Sequence, residues 1–236
     1  MIIDVHSHIL PKIDDGSKNV ETSIEMLRES ANQGVGFMVA TPHFYAHEKR
    51  IETFLEQRAA AAETLKRRIA ESGEKLPGFI CGAEVAFFEG MSKAEKVDLL
   101  TIEGTNLLLV EMPFESWSDS IMEEIRRLIY KRHFSLIIAH VERFFPFKGN
   151  AARIYDLMEL PLYIQMNGEA LTDFWHRGKY ISLLKKDKIH LLGSDCHGMH
   201  RRPPNLSEAR EYIAKKAGQD VLERIDKLGE SLILNG

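Results

Sequence analysis

The chain has 236 residues, 44% hydrophobic and 28% charged, and its formal net charge of −4 argues against a nucleic-acid-binding protein, which usually carries a basic surplus. This length supports a large hydrophobic core, and no repeat, low-complexity stretch or linker interrupts it, so residues 1–236 are assigned to a single domain. The chain has two cysteines and no secretory signal pattern, which argues against a disulfide-rich secreted protein. No apolar run approaches the roughly 20 residues of a membrane span, so we expect a cytoplasmic protein.

Short apolar runs alternate with longer amphipathic segments along the chain. Seven strands are predicted, at Ile2–Val5, Gly36–Ala40, Phe79–Glu84, Leu107–Glu111, Leu136–His140, Leu162–Met166 and His190–Ser194. Six helices are predicted, at Val20–Asn32, Ile51–Ser72, Ser118–His133, Ala151–Leu160, Tyr180–Lys186 and Ser207–Leu228. This alternation predicts a parallel α/β sheet covered by helices, and about seven units fit a closed or nearly closed β/α barrel. No glycine-rich loop follows the first strand, so a nucleotide-binding sheet has no support.

Six of the seven predicted strands run into ionisable side chains. The residues are His6 and His8, His43, Glu84, Glu111, His140, and Asp195 and His197, in chain order. A lone histidine or glutamate at a strand end is more often a capping or solvent-facing residue, but that explanation weakens when six strands share the feature. In a β/α barrel the carboxyl ends of the strands form the active-site face.

Two of these segments have the spacing of a chelate. In His6-Ser7-His8 the two imidazoles share one face of an extended chain, because side chains alternate, and Asp195-Cys196-His197 repeats the arrangement with mixed ligands. Imidazoles and carboxylates without cysteine suit Mn, Fe or Zn rather than a structural zinc site. We predict two or three ions, with Mn²⁺ first and Fe or Zn as the alternatives.

An ordered series of motifs runs from Ile3 to about Pro204. The motifs are His6-Ser7-His8-Ile9-Leu10-Pro11, Asp14-Asp15-Gly16, Thr41-Pro42-His43, Gly82-Ala83-Glu84, His140-Val141-Glu142-Arg143, Ser194-Asp195-Cys196-His197 and Arg202-Pro203-Pro204. This set resembles the polymerase and histidinol phosphatase (PHP) superfamily and, within it, the bacterial capsule and exopolysaccharide protein-tyrosine phosphatases. The resemblance implies a distorted (β/α)7 barrel similar to a TIM barrel.

The resemblance also implies a site for three ions. The first group is His6, His8, Glu84 and Asp195; the second shares Glu84 and adds Glu111 and His140; the third is Asp15, His43 and His197. Many superfamily members have a histidine where this chain has Asp15, and the aspartate is similar to the tyrosine-phosphatase branch. Asp15 is preferred as the ligand, and its neighbour Asp14 stays open as the alternative.

The activity that the resemblance implies is hydrolysis of phosphotyrosine, on the tail of a bacterial tyrosine kinase that controls capsule or exopolysaccharide synthesis. A metal-activated hydroxide would attack phosphorus. Arg143 and Arg202 are the predicted catalytic cations, because a planar guanidinium matches phosphate oxygens, and Arg201 is the alternative to Arg202. No general acid is assigned, since a phenol with a pKa of about 10 leaves readily. Aromatic residues predicted near the rim, where one could stack on the tyrosine ring, are Phe44, Tyr45, Phe114, Trp117, Phe144 and Phe145.

Other functions are compatible with parts of the pattern. A histidinol-phosphate phosphatase, another small phosphomonoester phosphatase or a nuclease of the superfamily would share the ligands, but the small size, the missing basic stripe and Asp15 count against them. A TatD-like deoxyribonuclease fits the Thr-Pro-His and Asp-x-His elements poorly. A non-catalytic module that binds a phosphotyrosine tail would not need the complete ligand set. A homo-oligomer stays open.

One spacing suggests a different mechanism for the same substrate. Cys196 and Arg202 stand in a Cys-x5-Arg spacing, the signature of thiol-based tyrosine phosphatases. A reactive thiolate needs a ring of backbone amides, but Pro203 and Pro204 follow the arginine and have no amide hydrogen. We interpret the spacing as coincidence.

Overall fold

The computed structural model describes residues 1–235, in which parallel strands alternate with helices. The strands are β1 Ile2–Ser7, β2 Val35–Ala40, β3 His43–Phe44, β4 Gly78–Cys81, β5 Glu84–Ala86, β6 Leu107–Glu111, β7 Ser135–Ile138, β8 Tyr163–Asn167 and β9 Leu191–Gly193. The α-helices are α1 Val20–Asn32, α2 Ile51–Ser72, α3 Asp119–Tyr130, α4 Asn150–Leu157, α5 Arg177–Lys185, α6 Leu206–Lys216 and α7 Gln219–Ile233.

Local sequence signals explain several helix ends. Asn19 begins α1, because its side-chain oxygen accepts the Thr22 amide at 2.8 Å, and Ser118 caps α3 through the Ile121 amide at 3.3 Å. Gly73 ends α2 in the left-handed conformation, with a φ of 66°. Each of these caps satisfies backbone groups that would otherwise be orphaned at a helix end.

All strand pairs are parallel, in two sheets of order β1-β2-β4 and β3-β5-β6-β7-β8-β9. Backbone bonds continue the pairing between the sheets, since the Gly82 amide donates to Ala40 O at 2.8 Å and the Glu84 amide to Pro42 O at 3.1 Å. At the other edge Ser7 pairs with Cys196. The sheet is therefore curled, and the predicted parallel α/β architecture is confirmed.

Two of the predicted elements are each a pair of separate elements in the structure. The predicted strand Phe79–Glu84 is two strands, β4 and β5, separated at Gly82 and Ala83. The predicted helix Ser207–Leu228 is α6 and α7, because Gly218 has a φ of 110°, which a helix cannot accommodate. His43–Phe44 is a short strand that was not predicted.

The side chains of the strands divide the core into two layers. On β6, Leu108 and Val110 belong to a large cluster shared with the helices, whereas Leu107 and Leu109 belong to a smaller cluster. Because alternate residues face opposite sides, Glu111 continues the face of Leu107 and Leu109. The curl thus has an apolar interior that gives way to a charged group at the carboxyl ends of the strands.

No helix within residues 1–235 has both the length and the apolar character required for a membrane span.

Candidate metal centre

The nine predicted ligands converge at the carboxyl ends of the strands. Potential ligand atoms lie within 4.8 Å of one another in three groups: His6, His8, Glu84 and Asp195; His8, Asp15, His43 and His197; and His43, Glu84 and Glu111. The first group has the composition that the family resemblance implies. The second group contains His8 in addition to the expected Asp15, His43 and His197. The third contains His43 in addition to the expected Glu84 and Glu111. His140 lies beside that pair rather than in a separate group.

The first group has the spacing of ligands to one ion. The Nε2 atoms of His6 and His8 are 3.2 Å apart, and each lies 3.2 Å from Oε2 of Glu84. Asp195 Oδ1 is 3.4 Å from His8 Nε2 and 3.7 Å from His6 Nε2. Two nitrogens that each bind one ion at about 2.0–2.1 Å are held about 3 Å apart. The arrangement therefore fits a cation at the centre of the four side chains.

The second group opens toward solvent at Asp15, whose side chain is 65% exposed. Its Oδ1 lies 3.3 Å from His197 Nε2 and 3.5 Å from His43 Nε2. His197 Nδ1 donates to the carbonyl oxygen of Asp195 at 2.8 Å, which leaves Nε2 to face Asp15.

Glu84 connects the groups. It is fully buried, its Oε1 lies 2.8 Å from His140 Nε2, and its Oε2 lies 2.9 Å from His43 Nδ1. Glu111 Oε1 is also 3.2 Å from His140 Nε2. One carboxylate from β5 thus touches imidazoles carried by three other segments of the curled sheet.

Several buried polar atoms here make no hydrogen bond of acceptable geometry within residues 1–235, although some of them lie close to a polar neighbour. They are His43 Nδ1, Glu84 Oε2, His140 Nδ1 and His197 Nε2. Buried polar atoms are almost always satisfied in folded proteins, so the lone pairs of this cluster are available to a bound cation. A group of nitrogen and carboxylate lone pairs suits a divalent cation, and the residues present fit a metal site.

When no metal is bound, the carboxylates of the cluster favour the protonated forms of two of its histidines, whereas burial and the His8 charge lower the pKa of His197. Burial opposes protonation of His8, but Asp14, Asp195 and Glu84 raise its pKa well above the usual value. Burial likewise opposes protonation of His140, and Glu111 and Glu84 raise its pKa to about 10. A metal must displace these protons, so metal affinity should rise with pH.

Asp14 and Asp15 have different environments. Asp14 Oδ2 accepts from His8 Nδ1 at 2.7 Å and from the His43 amide at 3.0 Å, while Oδ1 accepts from the Gly16 amide at 3.0 Å. Burial opposes ionisation of Asp14, but His8 lowers its pKa to about 2. Both Asp14 oxygens are therefore engaged by neighbouring donors, and the contact of Oδ2 with His8 Nδ1 directs His8 Nε2 toward the cluster. Of the two aspartates, Asp15 is the one that the structure places in a ligand group.

The two predicted arginines lie at the edge of the cluster. Arg143 Nη2 donates to Asp195 Oδ2 at 2.6 Å, and Arg202 Nη1 lies 3.3 Å from the same oxygen. Arg202 Nη2 also lies 3.4 Å from Asp15 Oδ2. Arg201 is exposed, with no ion pair to another residue in 1–235, and lines a neighbouring cavity.

Backbone strain coincides with these residues. His140, Asp195 and Arg202 have φ values of 29°, 51° and 50°, and are three of the six non-glycine residues with positive φ in residues 1–235. Such conformations cost free energy and concentrate at functional sites, where the surrounding structure maintains them.

Strand β8 contributes amides instead of ligands, and this was not predicted. Gln165 Oε1 accepts the His140 backbone amide at 2.7 Å and His6 Nδ1 at 3.2 Å. Gln165 Nε2 donates to Asn167 Oδ1, and Asn167 Nδ2 donates to Asp195 Oδ2, both at 2.9 Å. The two buried amides therefore orient His6, His140 and Asp195. The available signal was two polar residues at alternating positions of an otherwise apolar strand.

We expect Gln165→Met to weaken metal binding by about 10- to 100-fold, the usual effect of losing a residue that orients a ligand. Gln165→Glu keeps an acceptor oxygen for the His140 amide and His6 Nδ1, and should retain most of the affinity. Metal competition against a chromophoric chelator measures both variants. Equal affinity of Gln165→Met and the unmodified chain would exclude this role.

The rim expectation is wrong for half of the aromatic residues. Phe44, Trp117 and Phe144 are at most 5% exposed and belong to the hydrophobic core. Phe145 is partly buried beneath Lys179, whose Nζ lies 3.2 Å from the ring centroid. Among the six aromatics, Phe114 is the clearly exposed one, at 50%. Its ring centroid is 6.1 Å from that of His140.

Tyr45 also lies at the cluster. Its ring stacks on the His43 ring with the centroids 5.3 Å apart and an interplanar angle of 26°. Burial first, and then the Glu111 charge, would raise the pKa of Tyr45 above its ordinary value. The phenol therefore stays protonated at neutral pH.

Cys196 does not have the environment of a nucleophile. Its side chain is fully buried, and burial raises the pKa of the thiol to about 12, with the Asp4 charge adding to the effect. A thiolate requires a lowered pKa and access to substrate. The Cys-x5-Arg spacing is thus unrelated to thiol chemistry in this fold.

A family model described as capsular polysaccharide synthesis, CpsB/CapC, matches residues 2–234. The tyrosine-protein phosphatase CpsB of Streptococcus pneumoniae is 30% identical over 234 residues, which cover 92% of this chain and 91% of the relative. The tyrosine-protein phosphatase YwqE of Bacillus subtilis (strain 168) is 29% identical over 247 residues, covering 99% of this chain and 92% of the relative.

The fold is similar to a solved structure described as that of YwqE from Bacillus subtilis and CpsB from Streptococcus pneumoniae, metal-dependent tyrosine phosphatases. The TM-score is 0.86 at 24% identity, over 99% of this chain and 95% of the other. A more distant likeness is to the phosphotriesterase homology protein of Escherichia coli, with a TM-score of 0.55 at 12% identity, over 98% of each chain.

Proposed function

The chain belongs to the CpsB/CapC family of capsular polysaccharide synthesis, and we propose that it is a metal-dependent protein-tyrosine phosphatase. The observation that carries the proposal is the buried cluster of imidazoles and carboxylates around Glu84, with two arginines at its accessible edge. The named relatives are tyrosine-protein phosphatases and match this chain over more than nine-tenths of its length.

We further propose that residues 1–236 form one domain with seven β/α units. In this count β2 and β3 are one strand interrupted at Pro42, and β4 and β5 are one strand interrupted at Gly82. The backbone bonds from Gly82 to Ala40 and from Glu84 to Pro42 support the count, because they continue the pairing across both interruptions.

We propose two or three ions, Mn²⁺ first, held by the nine predicted ligands. The groups are His6, His8, Glu84 and Asp195; Glu84, Glu111 and His140; and Asp15, His43 and His197. A ligand set of carboxylates and imidazoles without thiolate supports Mn²⁺ or Fe over a structural zinc site. When bound, the ions would supply Lewis acidity that produces hydroxide from water near neutral pH and neutralises phosphate charge.

The chain's own residues hold the substrate phosphate. Arg143 and Arg202 are 29% and 31% exposed, and both are anchored on Asp195 Oδ2, so their remaining N–H groups can reach a ligand. Fixed guanidinium groups stabilise the charge that spreads over the equatorial oxygens of a transferring phosphoryl group. The tyrosyl phenolate can leave without a protein acid, because the phenol has a pKa of about 10.

Phe114 is the residue that we assign to the substrate ring. It is half exposed and adjoins His140, which places an aromatic face at the edge of the cluster. Phe114→Ala should raise the KM for a phosphotyrosine peptide about 3- to 10-fold, since aromatic pairs contribute about 0.5–1.5 kcal/mol, and leave kcat unchanged. Steady-state kinetics would show this, with Tyr130→Ala as the control, because Tyr130 is 56% exposed at the end of α3, far from the carboxyl edge. A KM equal in both variants would contradict the assignment.

The natural substrate that we propose is the tyrosine-phosphorylated tail of a bacterial tyrosine kinase in capsule or exopolysaccharide synthesis. The description of the matching family supports the capsule context. A panel of phosphotyrosine and phosphoserine peptides and histidinol phosphate, assayed with Mn²⁺, tests the proposal. Faster turnover of histidinol phosphate than of every phosphotyrosine peptide would favour the small-substrate alternative, and binding without turnover a non-catalytic module.

We expect Cys196→Ser to retain most of the phosphatase activity, because the buried, protonated thiol takes no part in the chemistry. Turnover of p-nitrophenyl phosphate and metal content should be measured on the same preparation. Loss of turnover with metal content intact would require a thiol mechanism instead.

A further inference from the structure

A cavity of about 340 Å³ adjoins the metal centre on the side of Asp15. We call it the Lys18 pocket. Apart from glycines, the residues that belong to this pocket alone are Lys18, Thr22, Glu25, Met199, His200 and Arg201. Three more lining residues, Asp15, His197 and Arg202, also belong to the metal centre. The pocket and the metal centre therefore share one wall.

The residues that line the pocket carry a small excess of positive charge. Lys18 and Arg201 are exposed, and neither has an ion-pair partner within 4.0 Å in residues 1–235. Glu25 opposes them, and the charge of Asp15 is directed to its imidazole neighbours and Arg202. A local excess of cations is notable in a chain with a net charge of −4, and it favours an anionic ligand.

Arg202 lies between the metal centre and the Lys18 pocket. Its Nη1 faces Asp195 in the metal centre, and its Nη2 faces Asp15 at the pocket entrance, at 3.3 and 3.4 Å. A peptide whose phosphotyrosine occupied the metal centre would have to leave it along the protein surface. The Lys18 pocket lies on one such path and offers two free cations to the next anionic side chain.

We propose that the Lys18 pocket is a second anion subsite, which binds an acidic group of the phosphoprotein next to the phosphotyrosine being hydrolysed. The ligand is a carboxylate or a second phosphate, because both present oxygens to Lys18 and Arg201 in the same way. This inference rests on the proposed phosphatase function. It adds that the enzyme selects its substrate by the charge around the phosphotyrosine.

The test uses the full chain with Mn²⁺ and four peptides of one length. The phosphotyrosine is flanked by glutamates, by alanines, by lysines or by a second phosphotyrosine, and p-nitrophenyl phosphate serves as a substrate without flanks. The variant is Lys18→Glu with Arg201→Glu, and the control is Lys185→Glu with Lys186→Glu. The control lysines are exposed at the end of α5, which leads into the amino end of β9.

The unmodified chain should prefer the glutamate or doubly phosphorylated peptide to the lysine peptide by about tenfold in kcat/KM, chiefly through KM, and less at high salt. The Lys18 and Arg201 variant should lose or invert that preference while hydrolysing p-nitrophenyl phosphate normally, because Arg202, and not Arg201, is the arginine in contact with the metal centre. If the glutamate peptide is preferred more strongly than the doubly phosphorylated peptide, the ligand is a carboxylate. The reverse order identifies a phosphate.

Absence of a charge preference, or an equal loss in the Lys185 and Lys186 control, would overturn the subsite and leave the phosphatase function standing. Absence of turnover of p-nitrophenyl phosphate and of every peptide would overturn both.

Discussion

Glu84→Gln is expected to abolish phosphatase activity, with a loss on the order of 1,000-fold or more, because several kcal/mol of metal-dependent stabilisation disappear. The substitution keeps the shape of the side chain and removes its charge. Glu84 is the carboxylate in contact with His6, His8, His43 and His140. Metal content, measured by elemental analysis, should fall with activity.

The matched control is Glu124→Gln. Glu124 is also buried, at 6% exposure, but it accepts the Ser92 amide at 2.7 Å and lies on α3 away from the cluster. Its variant should keep activity and metal. A chelator should inactivate the unmodified chain and Mn²⁺ should restore it. A Glu84→Gln protein with more than a tenth of the original activity would refute the assigned ligand set.

Arg143→Ala is expected to lower kcat/KM for phosphate esters by about 100- to 1,000-fold, as for the loss of one preorganised donor to a transition state. Metal content should be largely retained, because Asn167 and Arg202 still donate to Asp195 Oδ2. The variant thus separates phosphate binding from metal binding, which Glu84→Gln cannot do.

Arg153→Ala is the control for that experiment. Arg153 is 31% exposed and pairs with Asp119 on the helical surface, so it matches Arg143 in exposure and in having an acidic partner. Its loss should leave kinetics unchanged. Unchanged kinetics for Arg143→Ala as well would show that the phosphate is held elsewhere.

The sequence was informative where function depends on position along a strand. Parallel strands bring their carboxyl ends to one edge, so the order of apolar run and ionisable residue was enough to bring together eight of the nine proposed ligands. His6, His8, Glu84 and Asp195 are in contact for this reason. Asp15 lies between β1 and α1, and only the resemblance to a family pointed to it. The pattern at His6 and His8 needed no knowledge of distant residues, because alternation within one strand determines it.

Features that depend on tertiary packing could not be predicted. Asp14 and Asp15 are adjacent and chemically alike, and only the turn that brings Asp14 to His8 Nδ1 separates their roles. Phe44 and Phe114 are the same residue type near the same edge, yet one is buried and the other half exposed. The alternation of Gln165 with Asn167 marks a polar face on β8 but does not indicate its role, because that role follows from contacts with His6 and His140 on distant segments.

The junction between β1 and the segment after β9 has a consequence for biosynthesis. The Asp195 amide donates to His6 O at 2.8 Å and the His8 amide to Cys196 O at 3.0 Å, so residues nearly 190 positions apart complete one ligand group. A nascent chain that still lacks Asp195 presents only part of its ligands, and such long-range contacts form slowly. Metal capture should therefore be one of the last events after translation, and the captured ion would join the early and late parts of the chain, slowing unfolding as well as enabling catalysis.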